Sequence, residues 1–251
     1  MKKHKNYHIV VSYDYGYEYH PNSLEVTLSP ERVIAIAKKG NADAIIMNRG
    51  MLYKNNDLIA QNKIRTILNF NSRNPINNEF HDIACIEDIT ALGVNGVNYK
   101  LFIGHDYSTI DSFNKLAGFL AGKDILLTGT VIIGEGQNTS ATTIDSITYG
   151  LRVAAELGFD TFIISDVLDN QQLDKLLLEA YLPIWIGIRK IDGLEDLLEK
   201  VMNYREKGIA GIVVGKFFLS KFDSPKILEG IHKVFVNGKS VEEALKDIQT
   251  Q

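Results

Sequence analysis

Residues 207–214 read KGIAGIVV, and the fold turns on how that stretch is parsed. A basic helix end, a glycine that stops the helix, a short turn and a run rich in β-branched residues follow one another. The same grammar stands at 39–46 (KGNADAII) and 157–164 (LGFDTFII). A short apolar run flanked in this way suits a parallel strand buried on both faces. Carried along the chain, the pattern predicts strands at 7–15, 43–50, 65–71, 96–104, 124–132, 161–167, 183–190 and 211–218. Helix-period segments follow all but the second, after which the chain is too short and polar to assign. The last segment, 225–248, reads as one long helix. Gly40, Gly93, Gly122, Gly158 and Gly208 fall where C-terminal caps belong.

Eight strand–helix units predict a single (β/α)8 TIM barrel, α/β in class, with residues 1–251 as one domain. An open doubly wound sheet is the alternative. It would carry a glycine-rich phosphate turn after its first strand, and DYGYEYHP (14–21) is no such turn.

The bulk numbers narrow the function classes. Apolar residues make up 45% and the formal net charge is -4, with no basic block, so no nucleic-acid partner is expected. Cys85 is the single cysteine, which excludes an intrachain disulfide and suits a reducing, cytoplasmic setting. The start, MKKHKNYHIVV, has too short an apolar run for a signal peptide or a membrane span. The six histidines show no metal-ligand spacing. No metal and no cofactor are expected; a small-molecule substrate is.

In a barrel the chemistry sits at the C-terminal strand ends. Asp14 ends the first strand and is a candidate acid or base, or a loop cap. Arg49 ends the second, placed to grip a phosphate or carboxylate, or to pair with an acidic neighbour. Thr128, Thr130 and Glu135 follow on the fifth. After the seventh and eighth strands, Gly187, Arg189, Gly215 and Lys216 form a candidate phosphate site, with Ile188 and Phe217 bulky for that role. His105 and Asp106 close the fourth strand as further metal or acid/base candidates, or simply as solvated loop residues.

Several stretches together resemble a known family: YDYGYEYHP (13–21), NADAIIMNRGML (41–52), LFIGHDY (101–107), AAELGFD (154–160) and the run from Gly211 through Leu245. They are similar to the archaeal-type class I fructose-bisphosphate aldolases, the autoinducer-2 phosphate thiolases and the aminodideoxyheptulosonate synthases. The resemblance implies a TIM barrel, carbohydrate chemistry on a phosphorylated ketone through a lysine Schiff base, and a homo-oligomeric ring. It also places the family's strand-six lysine at Ile164, its strand-five tyrosine at Thr130, and the histidine after Asp14 at Tyr15. An isoleucine forms no imine.

The fourth strand, GVNYKLFIG (96–104), supplies a substitute. Alternation turns Asn98, Lys100 and Phe102 into the barrel, where Lys100 and Ile164 are expected to share the central space. Apolar walls there would favour the neutral amine, and Asp14 or Asp166 would move the proton. Three functions stay open. One is a lyase or transferase using Lys100, and another is a catalytically altered relative in which a Lys100–Asp ion pair holds a ligand or partner. The third is an imine-free isomerase with Asp14 and Asp166 as its acid/base pair.

Overall fold

The computed structural model describes residues 8–15, 17, 29–74, 76, 79–103, 108–133, 143–165, 168–188, 193–219 and 224–249. Its strands are β1 (His8–Tyr13), β2 (Ala44–Asn48), β3 (Arg65–Asn69), β4 (Asn71–Arg73), β5 (Phe80–Asp82), β6 (Gly96–Ile103), β7 (Leu126–Ile133), β8 (Thr161–Ser165), β9 (Ile184–Ile188) and β10 (Gly211–Val214). Its helices are α1 (Pro30–Lys39), α2 (Arg49–Asn62), α3 (Ile86–Leu92), α4 (Ser108–Leu120), α5 (Ile144–Leu157), α6 (Asn170–Leu178), α7 (Leu194–Lys207), α8 (Lys216–Leu219), α9 (Ser224–Phe235) and α10 (Val241–Gln249).

Eight strands close a parallel barrel in the order β1-β10-β9-β8-β7-β6-β3-β2, as the repeated grammar predicts. Gly158 at φ 90° and Gly208 at φ 85° end α5 and α7 in the left-handed region, which costs a residue with a Cβ. Gly40 is different. Its φ is −84°, and Asn41 takes the left-handed turn at φ 56°. Glycine is required there by packing, since a Cβ would lie 2.4 Å from Leu228.

Strand alternation sorts the apolar residues into two layers. Val10, Ala44, Ile46, Ile67, Trp185 and Val213 fill the lower barrel interior. The intervening positions, such as Ile9, Ile45, Leu68, Val97, Leu127, Ile186 and Ile212, pack outward against the helices. No helix among the described residues is long and apolar enough to cross a membrane.

Four sequence expectations need correction. Arg49 and Gly50 do not end a strand; they open α2, which runs 14 residues. Its buried side is only Leu52, Asn55 and Ile59, too narrow a stripe to show as periodicity. The eighth strand stops at Val214, and the amides of Phe218 and Leu219 return to the Gly215 carbonyl to close one helical turn. The final helix is two, broken where Gly238 takes φ 72°. The β4–β5 hairpin, paired antiparallel after β3, was not expected at all; three-residue strands are too short to show alternation.

Candidate functional site

β6 places its residues as alternation demands. Val97, Tyr99 and Leu101 are fully buried under the helices, so Asn98 and Lys100 take the inner face. The Lys100 Nζ lies 3.5 Å from an Asp14 carboxylate oxygen, with 17% of the lysine side chain and 9% of the aspartate side chain exposed. Asp14 stands just beyond β1. Ser12, two residues back on the same face, donates its hydroxyl to the other carboxylate oxygen. Burial pulls the Lys100 pKa below its ordinary value, and the attraction of Asp14 opposes this without cancelling it. Tyr15 is buried edge-on to Tyr13, and its phenol is pushed up to about 12, chiefly by desolvation, so it stays protonated at neutral pH.

A row of amides supports this pair. Asn48, Asn69, Asn98 and Thr128 stand in register across β2, β3, β6 and β7. Asn98 donates to the Asn69 side-chain oxygen at 2.9 Å, Asn69 donates to that of Asn48 at 2.9 Å, and Asn48 donates to the Asp14 backbone carbonyl at 3.2 Å. The Thr128 hydroxyl, fully buried, has no hydrogen-bond partner among the described residues. Thr130 stands beside Lys100 in register.

The backbone of Lys100 is held separately. β3 leaves the barrel after Asn69, where the Phe70 amide makes the last bond to β6, to the Asn98 carbonyl at 3.0 Å. The N–H and C=O of Lys100 would be orphaned there, at about 1–3 kcal/mol each. Asn71, fully buried on β4, supplies both partners: its side-chain oxygen accepts from the Lys100 N–H and its amide donates to the Lys100 carbonyl, each at 2.8 Å. Phe80 on β5 stacks on Phe102, centroids 5.7 Å apart, so the hairpin grips β6 at the lysine and again two residues beyond it.

The other candidates are distributed as follows. Ile164 does not share the central space with Lys100. It packs outward in the shell between barrel and helices, while Ile163 packs on the interior cluster. The alternation on β8 therefore places Ser165 inward, in register with Gly187. Whichever β8 position is compared with a Schiff-base lysine, the strand TFIIS contains none. Gly187 is on β9 and Gly215 just past β10, where a Cβ on Gly215 would meet Ser12 only at 3.9 Å. Arg49 is engaged 3.5 Å from Asp88, a buried carboxylate that also accepts from Tyr53 and from the Cys85 amide. Asp166, Arg189, Glu135, His105, Asp106 and the side chains of Lys216 and Phe217 lie outside the described residues. Sequence reasoning passed over Ser12, Asn48, Asn69 and Asn71. The signal available was an asparagine closing both the second and third strands, level with Asn98.

A buried amine of lowered basicity against a carboxylate suits imine formation with proton transfer. No protein-family model matches the chain. An uncharacterized aldolase of Saccharolobus solfataricus is 22% identical over 95% of this chain and 93% of its own length. Among solved structures, an archaeal fructose 1,6-bisphosphate aldolase superposes with a TM-score of 0.80 at 22% identity, covering 93% of this chain and 95% of the other. A second such structure, with its catalytic lysine covalently bound to a carbinolamine intermediate, gives 0.80 at 23%, covering 92% and 94%. The fructose-bisphosphate aldolase of Slackia heliotrinireducens gives 0.81 at 16%, covering 96% and 85%. By barrel topology and by similarity along nearly its whole length, the chain carries the fold of the archaeal-type class I aldolases and resembles them in sequence.

Proposed function

We propose that this barrel makes or breaks a carbon–carbon bond of a small phosphorylated ketone or sugar-like compound, with Lys100 as the imine-forming amine. The observation that carries the reading is the Lys100 Nζ, desolvated on the inner face of an aldolase-like barrel and 3.5 Å from Asp14. In the cleavage direction the neutral amine adds to the ketone carbon. The carbonyl oxygen takes a proton and leaves as water, giving the iminium. A base removes the proton of the hydroxyl β to that carbon, the carbon–carbon bond breaks, and its electron pair becomes the enamine as the aldehyde departs. Reprotonation of the enamine carbon and addition of water release the second carbonyl product and restore the amine. In this reading Asp14 takes the ammonium proton and returns it to the departing oxygen. Asp166, the residue after β8, is the second candidate proton carrier, and Gly187, Gly215, Arg189 and Lys216 are the proposed phosphate grip.

Borohydride added with dihydroxyacetone phosphate, followed by peptide mass spectrometry, tests the reading. The expected adduct is on Lys100 and disappears in Lys100→Met. An adduct on another lysine, or turnover that survives Lys100→Met, overturns it. We extend the proposal to a cytoplasmic homo-oligomer. Exposed Tyr149, Leu178 and Tyr181, on or just after α5 and α6, offer apolar surface to a second copy. A monomer by light scattering refutes that extension.

A further inference from the structure

We propose that Asn71 is a positioning residue for Lys100: its buried carboxamide takes the place of the missing barrel strand and fixes the backbone from which the amine reaches Asp14. The inference rests on Lys100 being the nucleophile, but its test does not. In a parallel ladder each N–H and C=O of β6 facing β3 needs a partner from β3. The ladder ends at Asn69 and Asn98, two residues short of Lys100. A primary amide has the donor and acceptor of a peptide group, and Asn71 presents both to the two backbone atoms of one residue at 2.8 Å. Asn71 and Ser72 are fully buried, and Phe80 covers Phe102 from the second hairpin strand. The hairpin thus closes β6 against water along the side β3 vacates.

The consequence is electrostatic as well as mechanical. Among the described residues, Asp14 from β1 is a charged group at the Lys100 Nζ, while Asn71 and Ser72 from β4, Phe80 from β5, Asn98 and Phe102 from β6 and Thr130 from β7 are neutral. Water admitted through a broken clamp would solvate the ammonium form and return the amine toward ordinary basicity. A residue that served stability alone would leave that basicity where it is.

The probe is trace acetic anhydride, which labels neutral amines, applied across a pH series and read by peptide mass spectrometry. Exposed Lys54 on α2 is the internal reference. In Asn71→Ala the Lys100 labelling midpoint is expected to shift upward toward that of Lys54, with severalfold slower labelling at neutral pH. Asn71→Asp, nearly isosteric, is expected to shift it the same way, because its carboxylate repels the Lys100 carbonyl and adds negative charge. A wild-type midpoint in either folded variant overturns the inference. Hydrogen exchange on the wild-type protein needs no variant: the Lys100 amide is expected to be protected like those of the barrel strands, and exchange at the rate of an unstructured peptide also overturns it. If wild-type protein traps no ketone yet the midpoint moves, the aldolase reading falls and the positioning role stands. If trapping succeeds and the midpoint stays fixed, the reverse holds.

Discussion

Replacing Lys100 by Met removes the amine while keeping most of its length, and the stability cost follows from the geometry. At 3.5 Å the pair attracts by roughly 4–5 kcal/mol at an effective dielectric constant of about 20. Loss of the lysine forfeits this but also removes the cost of keeping an ammonium only 17% exposed. Asp14 keeps the Ser12 hydroxyl and loses its cation. The net destabilisation should be about 2 kcal/mol, below the full penalty for breaking a wholly buried pair. That is a fall of roughly 4–8 °C in Tm for a chain of this size. Asp14→Asn alone takes this carboxylate from the lysine and should cost a similar amount. The double variant leaves neither charge stranded, so it should be more stable than the sum of the two losses by about 1–2 kcal/mol. Urea unfolding of the four proteins at pH 7 gives the cycle. Additivity within about 0.5 kcal/mol would falsify the claim that the two groups are coupled in the fold.

Gly211→Ala should drive a Cβ to 2.5 Å from the Trp185 ring, costing about 1–3 kcal/mol. Because Trp185 is the single tryptophan, its emission should change directly, and an unshifted spectrum with full stability refutes the packing. Asn69→Ala, in the middle of the amide row, strands a donor of Asn98 and an acceptor of Asn48 and should cost about 2–4 kcal/mol; a loss under about 0.5 kcal/mol speaks against the row. His8, packed on Trp185 near Asp43 and Arg65, has its pKa lowered chiefly by burial. The folded protein therefore favours neutral His8: its contribution is complete above the ordinary value of 6.5 and is lost as pH falls from there through the folded value. His8→Gln should flatten stability over that window, and an unchanged pH profile excludes His8 as its source.

The barrel was legible because each unit states it independently: helix, glycine, turn and buried strand recur. The inward orientation of Lys100 was legible too, since alternation on β6 is strong. The facing of Ile164 was not. The centre of β8 carries isoleucine on both faces, Ile163 inward and Ile164 outward, so it shows no alternation there, and the family comparison put an outward residue in the barrel centre. Arg49 was misplaced because α2 is polar around most of its circumference. Asn71 could not be found because its contact is to the backbone of a residue 29 positions away, and backbone partners leave no mark in side-chain pattern.

The amide row has a direction. Each of Asn98, Asn69 and Asn48 gives its N–H2 toward β1, and Asn69 and Asn48 receive at their oxygens, so three side-chain dipoles align head to tail like peptides in a helix. The positive end meets the Asp14 backbone carbonyl, and the negative end belongs to the strand that carries Lys100. The three amides are also interlocked: one cannot rotate by half a turn without setting two oxygens or two N–H2 groups against each other. The row therefore keeps a single sense: reversing it would also set the Asn48 oxygen against the Asp14 backbone carbonyl, so one hydrogen-bond direction is imposed across three strands at once.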